Sequence, residues 1–373
     1  MGTETEMISG SDMINRKALV AMSGGVDSSV AAWLMIQRGY ECEGVTMRLY
    51  HNEEIACNFK TCCSDKDVAD ARRVSASMGM PYSVLNFTDA FDEKIIKRFV
   101  RTYEDGGTPN PCIDCNRYMK FEKLLDTALE RGREKIVTGH YARIDYDIAS
   151  ERFILKKGLD ADKDQSYVLY DLTQDQLSHT VFPLGEFTKK QVREIAAENG
   201  FLNADKRESQ DICFVPDGDY AAFIENYTGK KYEAGDFVDA SGTVLGRHRG
   251  VIHYTIGQRK GLGIAAESPY YVTELDTAGN RVVLSHGDGL FARGLYAGEL
   301  NLISVPEISG ELRCAAKIRY RQKEQPCTVR QTGSDRIEVI FDEPQRAITK
   351  GQAVVLYDGD TVIGGGRIGG RME

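Results

Sequence analysis

Two groups of side chains in this sequence are spaced for chemistry. The first is Ser23-Gly24-Gly25-Val26-Asp27-Ser28-Ser29, where two glycines and three hydroxyls follow an apolar run. Glycine reaches backbone angles closed to other residues and lets the main chain come close to an anion. The N–H groups and positive dipole end of a following helix attract phosphate. With Ser23, Ser28 and Ser29 as hydroxyl donors and Asp27 as a candidate magnesium ligand, the stretch reads as a nucleotide-phosphate loop. The second group is a pair of cysteine segments, Asn110-Pro111-Cys112-Ile113-Asp114-Cys115-Asn116 and Ser209-Gln210-Asp211-Ile212-Cys213-Phe214. Pro109 and Pro111 stiffen the first. Cys115 is expected at a helix start, where N-terminal N–H groups favour thiolate over thiol. A free thiol titrates near about 8.5, so a modest depression yields a nucleophile at neutral pH.

The elements that must position these residues are legible as periodicity. Ala18 to Met22 has the composition of a buried parallel strand, and Val26, Val30, Trp33, Leu34 and Gln37 keep helical spacing until Gly39. Further strands are expected at Cys42 to Met47, Tyr82 to Asn86 and Lys135 to Thr138. A helix capped around Ser64 runs through Val68, Ala71, Val74 and Met78, and one capped by Thr88 carries the stripe Phe91, Ile95, Phe99, Tyr103. The loop Gly106 to Pro111 leads to a helix with Phe121, Leu124, Leu125 and Ala128. This alternation implies an α/β fold, a doubly wound parallel sheet with ligands at the carboxyl ends of its strands. A hairpin from Asp145 to Lys157 and helices near Gln165 to Leu177 and Lys189 to Asn199 complete a first domain, residues 1–218. A glycine-rich central domain, 219–289, and a C-terminal antiparallel β-barrel, 290–373, follow, the last from strands such as Arg313 to Tyr320 and Ala353 to Tyr357.

The 373 residues carry a net charge of -9 and nine cysteines. An odd cysteine count argues against a secreted disulfide framework. Met1 to Asp12 shows no signal pattern and no run is long enough for a membrane span, so a cytoplasmic protein is expected. The acidic balance excludes indiscriminate coating of nucleic acid. Arg313, Lys317, Arg319, Arg321, Lys323 and Arg330, with Tyr320 among them, and Arg247, His248, Arg249, Arg259 and Lys260 are either solvated strand faces or contacts to an RNA backbone. His140, after a strand, is either a hydrogen-bonded structural residue or an acid–base group. Asp211 either tunes Cys213 or caps a turn. Cys42, Cys57, Cys62, Cys63, Cys314 and Cys327 are read as loop or core residues.

The lack of a lysine before Ser28 excludes the Walker loop, and no G-x-G-x-x-G follows the strand. SGGVDSS instead resembles the PP-loop of the ATP pyrophosphatases. SGGVDSS, TPNPCIDCNRYMKF, TGHYAR, KDQSY, SQDICF, HYTIGQRKGLGI and KIRYRQ then follow the order seen in the bacterial tRNA-specific 2-thiouridylases, and the chain is similar to that family over nearly its whole length. The resemblance implies an enzyme that uses ATP with magnesium to adenylate the 2-carbonyl of the wobble uridine of lysine, glutamate and glutamine tRNAs and replaces its oxygen with sulfur. It implies Cys213 as persulfide carrier and Cys115 as the partner that closes a disulfide with it, with ATP contacts at Ala21, Met22, Ser23, Gly24, Gly25, Val26, Asp27, Ser28, Met47 and Gly139. His140, Lys163, Asp164, Gln165, Arg319, Tyr320 and Gln352 match tRNA-contacting positions, and Asn110, Pro111 and Cys112 the pocket for the target base. Many members have aspartate at the position of Cys112. The C-x-x-C here leaves a second route open, a [4Fe-4S] cluster on Cys112, Cys115 and Cys213 that passes sulfide. A persulfide donor, tRNA and a monomeric state are the expected partners and assembly. An ammonia-adding PP-loop ligase and a non-catalytic RNA-binding protein are the competing readings.

Overall fold

The computed structural model describes residues 16–50, 65–204, 206 and 212–372; Cys57, Cys62, Cys63, Ser209, Gln210 and Asp211 lie outside them. In chain order the first strands are β1 (Lys17–Ala21), β2 (Glu41–Arg48), β3 (Tyr82–Asn86), β4 (Lys135–Val137), β5 (Ala142–Asp147), β6 (Arg152–Lys157) and β7 (Thr180–Val181). Five of them form a parallel sheet in the order β3-β2-β1-β4-β7. The doubly wound fold is therefore observed, and its strand order reverses at β1, opening a crevice beside β4. Alternate residues of β1 face opposite layers. Ala18 and Val20 pack with α1 (Val26–Gln37), α2 (Asp65–Ser77) and the helix Lys189–Glu198, while Leu19 packs with the helices at 88–104 and 111–130. The stripe Phe91, Ile95, Phe99 and Tyr103 is at most 5% exposed, as its spacing predicts.

Three local expectations change. The helix at 88–104 is capped from Asn86, whose Oδ1 accepts the Thr88 N–H at 3.1 Å, rather than by Thr88 itself. The stretch from Gln165 to Leu177 is two short helices, Ser166–Leu169 and Gln174–Ser178, because Thr173 and Gln176 form a capping box that starts the second afresh. The β5–β6 hairpin leaves the parallel sheet altogether and pairs with the last strand of the C-terminal domain, Lys156 opposite Thr361.

Beyond residue 219, β8 (Gly235–Val238), β9 (Val244–His248), β10 (Tyr271–Asp276) and β11 (Arg281–Ser285) make a four-stranded sheet in the order β10-β11-β8-β9. β12 (Phe291–Leu302), β13 (Glu311–Lys317), β14 (Gln325–Gly333), β15 (Arg336–Arg346), β16 (Ala353–Asp358) and β17 (Thr361–Met372) form an antiparallel barrel closed by the β12–β17 pairing. Cys314 and Cys327 face each other across β13 and β14 with sulfurs 3.7 Å apart. Several cations of the basic strip have partners within the protein, the arginines in exposed ion pairs. Arg313 pairs with Asp342 at 2.7 Å, Arg330 pairs with Glu311, and Lys317 lies over the Tyr167 and Tyr357 rings. Arg247 likewise pairs with Asp236 at 3.0 Å, and His248 is buried.

Candidate active site

The phosphate loop is built as the sequence requires. Gly24 has φ +72°, and a Cβ there would lie 2.4 Å from the Asp67 carbonyl oxygen, so only glycine fits the turn. A Cβ on Gly139, at the end of β4, would meet Asp27 C and Ser28 N at 2.9 Å, which lets that strand end close against the loop. Within the loop the Ser28 hydroxyl donates to the Gly25 carbonyl at 3.0 Å and accepts the Ser23 N–H at 3.2 Å. Ser29 departs from its expected part. It is fully buried, donates to the Gly25 carbonyl at 3.1 Å and accepts from Asn203 Nδ2 at 2.9 Å, so its hydroxyl braces the loop from behind.

The loop is held from below by residues whose sequence context carries no such signal. Lys189 Nζ donates to both Asp27 carboxylate oxygens at 2.7 and 2.8 Å, and the Tyr141 hydroxyl donates to Oδ1 at 2.7 Å. Asp27 is thus clamped by a cation in this geometry, and direct magnesium ligation would have to compete with Lys189. Lys206 Nζ donates to the Gly24 carbonyl at 3.0 Å and to Asp67 and Asp70 at 2.6 and 2.9 Å, fastening the turn to α2.

A cavity of about 350 Å³ opens above this loop at the carboxyl ends of the strands. Ala21, Met22, Ser23, Asp27, Ser28, Met47 and Gly139 line it, whereas Gly24, Gly25 and Val26 shape the turn without lining it. Cys112, Cys115 and Cys213 line the same cavity. A larger cavity of about 530 Å³ lies between the β5–β6 hairpin and the barrel and contains none of these residues.

Packing brings the two distant cysteine segments together. Phe214, 1% exposed, makes edge contacts with Phe91 and Phe99 at ring distances of 5.7 and 5.1 Å. Burying such a side chain contributes roughly 1.5–3 kcal/mol, enough to pin its neighbour Cys213. The Tyr50 hydroxyl also donates to the Cys213 carbonyl at 3.1 Å. On the other side, the helix 111–130 starts at Pro111, a residue suited to the first helical position because the N–H it lacks has no partner there. Cys112 therefore occupies the first turn, and Cys115 sits a turn later at the opening of the π-helical segment Cys115–Lys123. The expected placement of Cys115 at the helix start does not hold, and the dipole argument passes to Cys112.

The barrel secures this helix. Gln352 Nε2 donates to the Thr108 and Pro109 carbonyls at 2.8 and 3.3 Å, and the Lys350 carbonyl accepts the Thr108 N–H at 2.8 Å. Asp114, 2% exposed between the two helix cysteines, pairs with Arg367 at 2.6 Å and with Arg98 at 3.4 Å. Burial pushes the Asp114 carboxyl above its usual range, against the pull of Arg367 and Arg98. Removing the closer cation is accordingly expected to destabilise strongly. Arg367→Met should cost about 3–5 kcal/mol in urea unfolding, most of it recovered when Asp114→Asn is added, since the penalty is an uncompensated buried charge. Additive losses in the double variant would contradict this.

His140, 8% exposed, lines the cavity. Burial first, and then the Lys120 ammonium, hold its pKa well below 6.5, so the ring is neutral at physiological pH. Its Nε2 lies 3.4 Å from Lys120 Nζ and its Nδ1 2.7 Å from Thr138 Oγ1. Ammonium only donates, so Nε2 accepts and Nδ1 carries the proton toward Thr138.

Comparison with known proteins decides the family. Residues 16–217 match a family model described as tRNA methyl transferase HUP domain, 221–286 a tRNA methyl transferase PRC-barrel domain, and 292–368 an aminomethyltransferase beta-barrel domain. The tRNA-specific 2-thiouridylase MnmA of Lachnoclostridium phytofermentans is 51% identical over 355 residues, covering 95% of this chain and 99% of that protein. Those of Carboxydothermus hydrogenoformans and Clostridioides difficile are 50% and 48% identical, covering 97% and 95% of this chain and 100% and 98% of theirs. The chain belongs to the tRNA-specific 2-thiouridylase MnmA family.

The positions that the resemblance to the 2-thiouridylases implies for tRNA fall into three groups. Pro111, Cys112, His140 and Gln165 line the cavity, and Asn110 occupies the N-cap position of the cysteine helix. Lys163, Asp164 and Tyr320 lie together outside it, the Tyr320 hydroxyl donating to the Asp164 carbonyl at 3.1 Å. Arg319 and Gln352 are turned to internal work, Arg319 donating to the Ala347 carbonyl at 2.9 Å and Gln352 holding the loop before Pro111. For the iron-sulfur route, no three of His, Cys, Asp or Glu among the described residues converge to hold a metal ion, although the three cysteines share one cavity. No helix among the described residues is long and apolar enough to cross a membrane.

Proposed function

We propose that this protein is an ATP-dependent tRNA-uridine 2-sulfurtransferase acting on the wobble uridine. The observation that carries the reading is the convergence of a phosphate loop and the thiols of Cys115 and Cys213 on one cavity. In it, Ser23, Ser28 and the helix N-terminus hold ATP phosphates, with Met47 beside the adenosine. The uracil 2-oxygen attacks the α-phosphorus, pyrophosphate departs with the electron pair of the broken P–O bond, and the oxygen becomes part of a leaving group. The terminal sulfur of a Cys213 persulfide then bonds to C2. AMP leaves with the C–O electrons, so the base is joined to Cys213 through a C2–S–S link. The Cys115 thiolate attacks Cys213 Sγ, and the old S–S bond breaks with its electrons going to the C2 sulfur to leave 2-thiouridine. The resulting Cys115–Cys213 disulfide is reopened by an external thiol reductant. The matched family models are described as methyl transferase domains, but a phosphate loop facing two thiols suits ATP-driven sulfur transfer better than methyl transfer.

The finer parts of this reading are a persulfide donor protein, a monomeric cytoplasmic enzyme, tRNA contacts at Lys163, Asp164 and Tyr320, and domains at 1–218, 219–289 and 290–373. No step is routed through an iron-sulfur cluster, because the described cysteines do not converge as ligands. The test is direct. The protein, unmodified tRNA transcript, ATP and a persulfide-generating donor should together yield AMP, pyrophosphate and 2-thiouridine detected by mass spectrometry. Activation of the tRNA followed by incorporation of nitrogen instead of sulfur would replace the reading with that of an ammonia ligase.

A further inference from the structure

The cavity contains a charge that the reaction outlined above leaves unused. Among the described residues that line it, only Asp27 and Lys120 carry formal charge, and Asp27 is neutralised by Lys189 at 2.7 Å. Lys120 projects from the π-helical segment that begins at Cys115. Its one hydrogen-bond partner among the described residues is the neutral His140, at 3.4 Å. An ammonium in a cavity wall beside a neutral acceptor keeps its whole charge for an anion, and two of its three N–H donors remain for that anion. His140 cannot itself carry charge there, because burial disfavours its protonated form. Its Nε2 instead aims the ammonium, and Thr138 fixes the ring through Nδ1 at 2.7 Å.

We propose that Lys120 is a catalytic residue for adenylyl transfer, contacting the non-bridging oxygens of the ATP α-phosphate, with His140 as its positioning residue. The assignment rests on the thiolation reading for the identity of the nucleophile. As the uracil 2-oxygen forms its bond to the α-phosphorus and the bond to pyrophosphate breaks, negative charge gathers on the equatorial oxygens. The uracil N3 proton passes to solvent, and pyrophosphate leaves with the bonding electrons. A cation preset opposite those oxygens stabilises that arrangement more than it stabilises bound ATP. The same contact favours departure of AMP when sulfur reaches C2.

Lys120→Met removes the charge and keeps the side-chain length, and Lys120→Arg keeps the charge. With tRNA transcript and ATP, Lys120→Met is expected to lower kcat for pyrophosphate release by about a hundredfold to a thousandfold. ATP KM and tRNA affinity should stay within about threefold, the pattern of a contact made mainly in the transition state. Lys120→Arg should recover about tenfold or more of the loss. In Lys120→Ala, added ethylammonium should restore rate saturably, which a purely structural role would not allow. Wild-type kcat in Lys120→Met, or a loss confined to KM, would overturn the assignment and leave the thiolation reading standing. If the wild-type protein released pyrophosphate without forming 2-thiouridine, the thiolation reading would fall, while a kcat loss in Lys120→Met would still support the phosphate contact.

Discussion

Cys213→Ser is expected to abolish sulfur incorporation, by about a thousandfold or more, while tRNA-dependent pyrophosphate release persists. Serine nearly keeps the size of the side chain but forms no persulfide, and two anchors of the segment do not involve the sulfur. Phe214 stays buried against Phe91 and Phe99, and the Tyr50 hydroxyl bonds the backbone carbonyl rather than the sulfur. Stability should therefore change by no more than about 0.5 kcal/mol. Cys115→Ser separates the two thiols by role. With the sulfur donor alone the Cys213 persulfide should still form, readable as one added sulfur by intact mass, and with tRNA and ATP added it should stall as a reductant-labile covalent link between Cys213 and the tRNA base. Full thiolation by Cys213→Ser would remove this cysteine from the sulfur path.

Gly24→Ala should weaken ATP binding by about a hundredfold, or about 2.7 kcal/mol. Two costs combine. The backbone angle of +72° disfavours any side chain by about 1 kcal/mol or more, and the added Cβ would sit 2.4 Å from the Asp67 carbonyl oxygen. Relieving that contact moves the turn away from α2 and disturbs Lys206, which bonds Gly24, Asp67 and Asp70 at once. Gly39→Ala is the control. Its φ is +81° but nothing lies within 4 Å of the added carbon, so it should lose stability and keep ATP affinity by calorimetry. Equal ATP affinity in the two variants would show that the fit of the turn against α2 has no bearing on the nucleotide.

The chemistry of this chain was readable before folding wherever it depended on local order. Gly24 and Gly25 between an apolar strand and α1 specify a phosphate loop because the required angles and N–H groups arise within one turn. The stripe from Phe91 to Tyr103 specifies a buried helix face because its period is that of the helix. The start of the cysteine helix was equally local, yet the sequence reading places it at Cys115, whereas Asn110 and Pro111 open it and leave Cys115 a turn inside. Other features depend on partners that no local spacing reveals. Lys189 reaches Asp27 across 162 positions, Asp114 meets Arg367 across 253, and Gln352 holds the carbonyl of Thr108 across 244. In one dimension the basic strip between Arg313 and Arg330 is open to two readings, a solvated strand face or an RNA contact, and Asp342 and Glu311 neutralise its ends once β13, β14 and β15 lie side by side. A sequence states which charges exist. Only the packed chain decides which of them find a partner and which, like Lys120, face the cavity beside a neutral neighbour, because Coulomb attraction acts over ångströms in space and not over positions along the chain.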